Sequence, residues 1–141
     1  ALEKYAVRIG GAANHRMSLS DGILIKDNHV AICGGIRPAL EQVRRTAPHT
    51  LKLEIEVGTP DEAEEAAGAG ADIIMLDNMD PETIRESVRR IDGRALVEVS
   101  GGVTRDNLAL LTAAGVDIVS VGALTHSAVA VDISMRIVNA P

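Results

Sequence analysis

The side chains able to do chemistry fall into three sets. A basic set comprises Asn14-His15-Arg16 and Lys26-Asp27-Asn28-His29. Arginine offers a planar fork for carboxylates and lysine a mobile point charge, so with His15 they suit a small dianion or trianion. The competing reading is that Arg16 and Lys26 neutralise inward carboxylates while Asp27 and Asn28 cap the next turn. An acidic set, Glu54, Glu56, Asp77 and Glu98, lies in apolar runs, where a carboxylate needs a cation or a basic partner. Glu56 and Asp77 end successive runs. On neighbouring strands about 4.8 Å apart they would share a hard cation such as Mg²⁺, with waters between, or pair with Lys26 or an arginine across the mouth. Glu54 and Glu98 sit deeper, where structural pairing is expected. The third set is two glycine turns, Ser100-Gly101-Gly102 and Gly122-Ala123-Leu124-Thr125-His126. Their N–H groups lie before helix starts, an arrangement that receives phosphate, although glycine also serves any turn needing positive φ. His126 is open to two roles, ligand contact or a structural hydrogen bond.

Other chemistries find no support. His15 and His29 lack the i, i+4 spacing of a helical zinc pair. No serine stands in a Gly-x-Ser-x-Gly elbow. Cys33 is the one cysteine and reads as a buried spectator thiol, since no disulfide or cysteine-rich zinc site can form within the chain.

The elements that must position these residues repeat. Apolar runs at Leu51 to Val57, Ala71 to Leu76, Ala95 to Val99 and Asp117 to Val121 start 20, 24 and 22 residues apart, room for one strand, one helix and two loops. Thr59-Pro60-Asp61-Glu62 has the form of a capping box with proline at the first helical position, and Asp80-Pro81-Glu82 repeats the device. Gly68, Gly93 and Gly115 stand where the helices should stop. A strand near Gly22 to Ile25 with a helix over Arg37 to Thr46 makes a fifth unit, and a last helix is expected near Val129 to Val138. Within the strands, Leu53, Ile55 and Val57 alternate with Glu54 and Glu56, and Val97 and Val99 with Glu98 and Ser100. Aliphatic residues then face helices, and polar ones face a barrel interior and its C-terminal mouth. A Gly-x-Gly-x-x-Gly fingerprint after the first strand is missing, which weakens an open doubly wound sheet. A complete eightfold barrel takes at least about 200 residues. The fold class is therefore α/β, a partial or open TIM-like barrel of about five β/α units.

Composition bounds the partners. With 20 acidic against 14 basic side chains the net charge is −6, which argues against nucleic acid or an anionic membrane surface. With one Tyr and no Phe or Trp, aromatic stacking platforms are excluded. No apolar run reaches about 18 residues, no signal-like segment is expected from the opening residues, and the single thiol suits a reducing cytoplasm.

Taken jointly, Lys4-Tyr5-Ala6-Val7, Gly10-Gly11, Asn14-His15-Arg16, Ile25-Lys26-Asp27-Asn28-His29, Glu54-Ile55-Glu56-Val57, Leu76-Asp77-Asn78, Ser100-Gly101-Gly102 and Val121-Gly122-Ala123-Leu124-Thr125-His126 resemble quinolinate phosphoribosyltransferase along essentially the whole chain. The resemblance implies that the pyridine nitrogen of quinolinate attacks C1 of phosphoribosyl pyrophosphate. Pyrophosphate leaves with Mg²⁺, and the 2-carboxylate departs as CO₂ to give nicotinate mononucleotide. It further implies that His15, Arg16 and Lys26 surround quinolinate, Lys26 also reaching the sugar phosphate. Glu56 and Asp77 would take the metal and ribose region and steady positive charge on the sugar. Ser100, Gly101, Gly102, Gly122, Ala123 and His126 would line the 5′-phosphate end.

The same resemblance implies a homodimer or higher homo-oligomer in which an arginine from a preceding α/β domain reaches the partner's site. That domain and a first barrel strand with an Arg-Lys-Thr segment have no counterpart here, and Ala1 falls where that strand would end. Residues 1–141 are thus expected to form an incomplete C-terminal barrel domain with little or no activity alone. From a different class, a non-catalytic assembly or folding module would use the exposed edges of such a partial barrel.

Overall fold

Strands form where β-branched and aliphatic residues concentrate between turn signals. They are β1 (Ile23–Ile25), β2 (Leu53–Val57), β3 (Ile73–Asp77), β4 (Leu96–Ser100) and β5 (Ile118–Val119). The computed structural model of the chain describes residues 2–138. The five strands make one sheet in sequence order, β1-β2-β3-β4-β5, with every neighbouring pair parallel. A doubly wound sheet reverses its strand order partway, and this one does not. The order is that of an open arc of a β/α barrel, as expected.

Helices α1 (Leu2–Ile9), α2 (Asp27–Cys33), α3 (Ile36–Thr46), α4 (Pro60–Gly68), α5 (Pro81–Ile91), α6 (Leu108–Thr112) and α7 (Ala123–His126) complete the described elements. The expected capping box starts α4: Glu62 N donates to Thr59 Oγ1 at 3.2 Å and Thr59 N to Glu62 Oε2 at 3.1 Å. Asp80 Oδ1 caps α5 by accepting from Glu82 N and Thr83 N. Such caps satisfy N–H groups that the first helical turn leaves unpaired.

The core lies between the sheet and α3, α4 and α5. Ile55, Ile74, Leu76 and Val99 pack with Leu40, Ala63, Ala66, Ile84 and Ile91, all essentially sealed from solvent. Each large aliphatic side chain buried this way contributes roughly 1.5–3 kcal/mol. The alanines of α4 make its inner face thin, so aliphatic strand residues reach it without aromatic filler. Register fixes the other face. Glu56 pairs with Met75, Met75 with Glu98 and Asp77 with Ser100, so the polar residues stand together away from the helices, as the alternation predicts. Two aspartates brace the strand starts: Asp72 Oδ2 accepts from Leu53 N at 2.7 Å, and Asp117 Oδ2 from Val97 N at 2.8 Å.

One expected element is absent and two are added. Residues 128–138 hold no regular structure, so the expected helix over Val129 to Val138 is not formed. Val129, Val131, Ile133, Met135 and Ile137 recur at every second position and are exposed, a strand-like period that gives a helix no single apolar face. Conversely, α1 and α2 precede and follow β1 where only loops were expected. No described helix is long and apolar enough to cross a membrane.

Candidate functional site

The barrel-facing ends of β1 to β4 collect the chemically able side chains. Lys26 follows β1 directly and stands at the N-cap of α2, where its N–H donates to His29 Nδ1 at 2.9 Å. Its ammonium reaches across to β2 and donates to Glu56 Oε2 at 2.9 Å. That hydrogen bond, against the cost of desolvation and with the charges of Glu56, Asp77 and Asp27, raises the Lys26 pKa. The lysine pair, one of the two arrangements open for Glu56, is formed. Asp77, at the end of β3, accepts from Asn78 Nδ2 at 2.9 Å. Asp27, Glu56, Glu62 and Asp77 border a cleft of ≈ 360 Å³ beside this pair.

Residues 14–16 are tied to α1. Lys4 Nζ donates to the carbonyls of His15 at 3.1 Å and Arg16 at 2.9 Å, and Asn14 Nδ2 donates back to Lys4 O at 3.0 Å. His15 turns inward, with Nε2 3.3 Å from Glu54 Oε2 and 3.8 Å from Glu98 Oε1. The ligand atoms of this trio lie within 4.8 Å of one another. Glu98 also accepts from the Ser120 hydroxyl. The deep carboxylates therefore do pair structurally, with His15 as the basic partner. Burial, then the charge of Glu98, pushes the Glu54 carboxyl above the ordinary range, with His15 and Arg16 opposing. Arg16 makes no ion pair with this trio among the described residues: its guanidinium donates to Gly22 O at 3.2 Å, and only its charge bears on Glu54.

The glycine turns stand at the tops of β4 and β5. Gly101 and Gly102 both have positive φ, +89° and +58°. The amides of Gly101, Gly102 and Gly122 donate to no backbone carbonyl among the described residues. Asn107 Nδ2 ties down Gly102 O at 3.0 Å, and Asn107 exchanges hydrogen bonds with Thr104 ahead of α6. In the second turn His126 lies on α7 with its Nδ1 2.8 Å from Ser127 Oγ and its ring against Gly122. His126 thus makes the structural hydrogen bond that was one of its two expected roles. Cys33, expected buried, is only half-buried, with Sγ 3.7 Å from Gln42 Oε1.

Asn78 is a residue that sequence reasoning passed over as a site member. It has φ of +51° without being glycine, its N–H donates to Ser100 O at 3.0 Å, and its side chain joins Asp77 to the Gly101 turn. Asparagine after a strand-end aspartate is the available signal, because asparagine tolerates the left-handed region better than most residues.

The chain is similar to known proteins throughout its length. It is 46% identical over 136 residues to a probable nicotinate-nucleotide pyrophosphorylase [carboxylating] of Bacillus subtilis, covering 96% of this chain and 47% of that protein. It is 40% identical over 139 residues to the human nicotinate-nucleotide pyrophosphorylase [carboxylating], covering 96% and 47%. The crystal structure of NadC from Streptococcus pyogenes superposes with a TM-score of 0.83 at 47% identity, covering 95% of this chain and 47% of that one. The chain spans about half the length of the relatives it matches. The family model described as quinolinate phosphoribosyl transferase, C-terminal domain, matches residues 1–136, and the chain belongs to that family.

Proposed function

We propose that this chain is the barrel domain of an enzyme that transfers the phosphoribosyl group of phosphoribosyl pyrophosphate to quinolinate, with decarboxylation to nicotinate mononucleotide. The observation that carries the reading is the meeting of Lys26, Glu56 and Asp77 at the ends of three adjacent strands, in a member of this family. Lys26 holds a carboxylate of quinolinate or an oxygen of the sugar phosphate, exchanging its present partner Glu56 for the anion. His15 and Arg16 complete the cationic side. Glu56 and Asp77, once Lys26 has moved to substrate, face the ribose and stabilise positive charge as the bond at C1 loosens. Preorganised charge and positioning, rather than a proton-transfer pair, carry the rate.

The 5′-phosphate is received by Ser100, Gly101, Gly102, Gly122, Ala123 and His126. Three of these positions have amides without backbone partners among the described residues, and glycine there keeps side chains out of the way. His126 gives up Ser127 Oγ to reach the anion. The oxygen donors of Glu56 and Asp77, partly open to solvent at the rim of an acid-lined cleft, suit Mg²⁺, which binds through one or two carboxylates, waters and substrate phosphates. When bound there it would neutralise charge on the pyrophosphate leaving group.

The test is production of nicotinate mononucleotide and CO₂ from quinolinate and phosphoribosyl pyrophosphate by the intact protein carrying this chain. Failure to form either product with both substrates and Mg²⁺ present would end the reading. The 141-residue chain by itself is expected to be inactive or nearly so, with cationic contributions supplied from outside it. Losing a partner of a buried charge costs about 2–5 kcal/mol.

A further inference from the structure

Glu54 and Glu98 take no part in the chemistry above, yet they are among the most buried charged groups of the chain, 7% and 2% exposed. They lie on the barrel-facing side of β2 and β4, one pleat repeat deeper than Glu56 and Ser100. Two carboxylates at that depth are unfavourable unless a positive group meets them. The group that meets them is His15. Its Nε2 is 3.3 Å from Glu54 Oε2 and 3.8 Å from Glu98 Oε1, while its side chain remains 35% exposed. Ser120, beyond β5, donates its hydroxyl to Glu98 Oε1 and so fixes that carboxylate. Glu54 Oε1 has no hydrogen-bond partner, which leaves the imidazole, facing Oε2, as the sole ion-pair partner of its carboxylate among the described residues. The backbone of His15 is held separately by Lys4. Main chain and ring are thus pinned by different elements, α1 on one side and β2 and β4 on the other.

We infer that Glu54 and Glu98 are positioning residues for His15, fixing its ring so that Nε2–H points into the barrel and Nδ1 is the nitrogen left for substrate. An imidazole nitrogen is assigned by what its partner can accept. Carboxylates accept only, so the inward nitrogen carries a proton. An anion bound at Nδ1 needs a proton there as well, and the two carboxylates behind the ring supply the countercharge for it. The other charged group bearing on this trio is Arg16, whose field opposes that of the carboxylates at Glu54. The inference rests on the assignment of His15 to quinolinate.

Two readouts on the intact protein test it. Nitrogen-15 spectra of the His15 ring, assigned by its loss in H15N, are expected to show the proton on Nε2 in the parent. In E54Q and in E98Q the ring is expected to pass to a mixture of both neutral forms. Kinetically, each variant raises KM for quinolinate about tenfold, the effect of weakening one charge-assisted hydrogen bond, while KM for phosphoribosyl pyrophosphate and kcat stay within about threefold. S120A, a milder change at the same brace, gives a smaller shift of the same kind and keeps the test alive if a glutamate variant fails to fold. An unaltered His15 spectrum together with an unaltered quinolinate KM in the variants that fold would overturn the inference. An altered spectrum in a protein that never used quinolinate would instead fault the proposed function and leave the positioning intact.

Discussion

The side chain of Asn78 occupies the space that a β-carbon on Gly101 would need. An ideal Cβ built there overlaps Asn78 Oδ1 and lies 2.9 Å from Nδ2, and Gly101 has φ of +89°. The strand-end carboxylate and the proposed phosphate turn are therefore built against each other, with Asn78 bonded to Asp77 on one side and touching Gly101 on the other.

Gly101→Ala is expected to be doubly unfavourable. The left-handed backbone costs alanine about 1 kcal/mol or more, and the methyl group must displace Asn78. In the intact enzyme we expect kcat/KM for phosphoribosyl pyrophosphate to fall at least about tenfold, with KM for quinolinate less affected. In N78A the obstruction is gone, so adding G101A to N78A costs less stability than adding it to the parent. Thermal melts of the two single variants and the double variant measure that coupling. Strict additivity would mean that the two residues do not constrain one another.

Lys26 and Glu56 yield the second prediction. If Lys26 leaves Glu56 to hold an anion, K26M removes a charge from substrate and also leaves Glu56 without its cation. We expect kcat/KM to fall by about 30-fold or more, equivalent to at least about 2 kcal/mol. K26R keeps the charge but replaces a compact ammonium with a broad fork, and should recover only part of the loss. Full recovery in K26R would show that charge alone suffices.

Much of this arrangement was legible in the chain itself. The phase of Glu54, Glu56 and Glu98 against their aliphatic neighbours placed all three on the barrel face, because side-chain direction in a strand has a strict period of two. Thr59 and Asp80 marked helix starts through local hydrogen bonding that depends on a few neighbouring residues. What could not be read was anything decided across the fold. That His15 rather than Arg16 would meet Glu54 depends on how α1 holds residues 14–16, and α1 itself was not expected. Asn78 went unnoticed as a site member because its role is a contact with a glycine 23 positions later.

The segment from Val129 to Val138 misled for the opposite reason, since its composition is apolar enough for a helix while its alternation is not helical. Its alternate apolar residues stand largely in solvent, with Val131 79% and Ile133 84% exposed. We therefore expect V131D and I133D, introduced together in the 141-residue chain, to leave Tm within about 2 °C of the parent, as surface substitutions do. In the same chain I74A, which empties a fully buried position between the sheet and its helices, should cost about 2–5 kcal/mol. A comparable loss from the two aspartates would mean that this segment packs on the chain after all.

Glu54 gives the last prediction, one of stability against pH. Burial and Glu98 raise its pKa above 4.5, its ordinary value, and His15 only partly opposes them. A carboxyl with a raised pKa binds its proton more tightly in the folded state. Its contribution to stability is therefore full below the unfolded value near 4.5 and is lost as pH rises through the folded value. Above its folded pKa the ionised Glu54 is then a burden that the fold carries for the sake of His15. E54Q, nearly the same shape without the charge, should melt a few degrees higher than the parent at about pH 8. The gap should close as the pH is lowered toward the ordinary carboxylate range, where the parent takes up its proton. Melting curves of both proteins across that range check the sign. A parent more stable than E54Q at pH 8 would show that the ion pair with His15 outweighs the cost of burying the charge. A gain in stability accompanied by a weaker hold on quinolinate would mark Glu54 as a group kept for substrate binding at the expense of the fold.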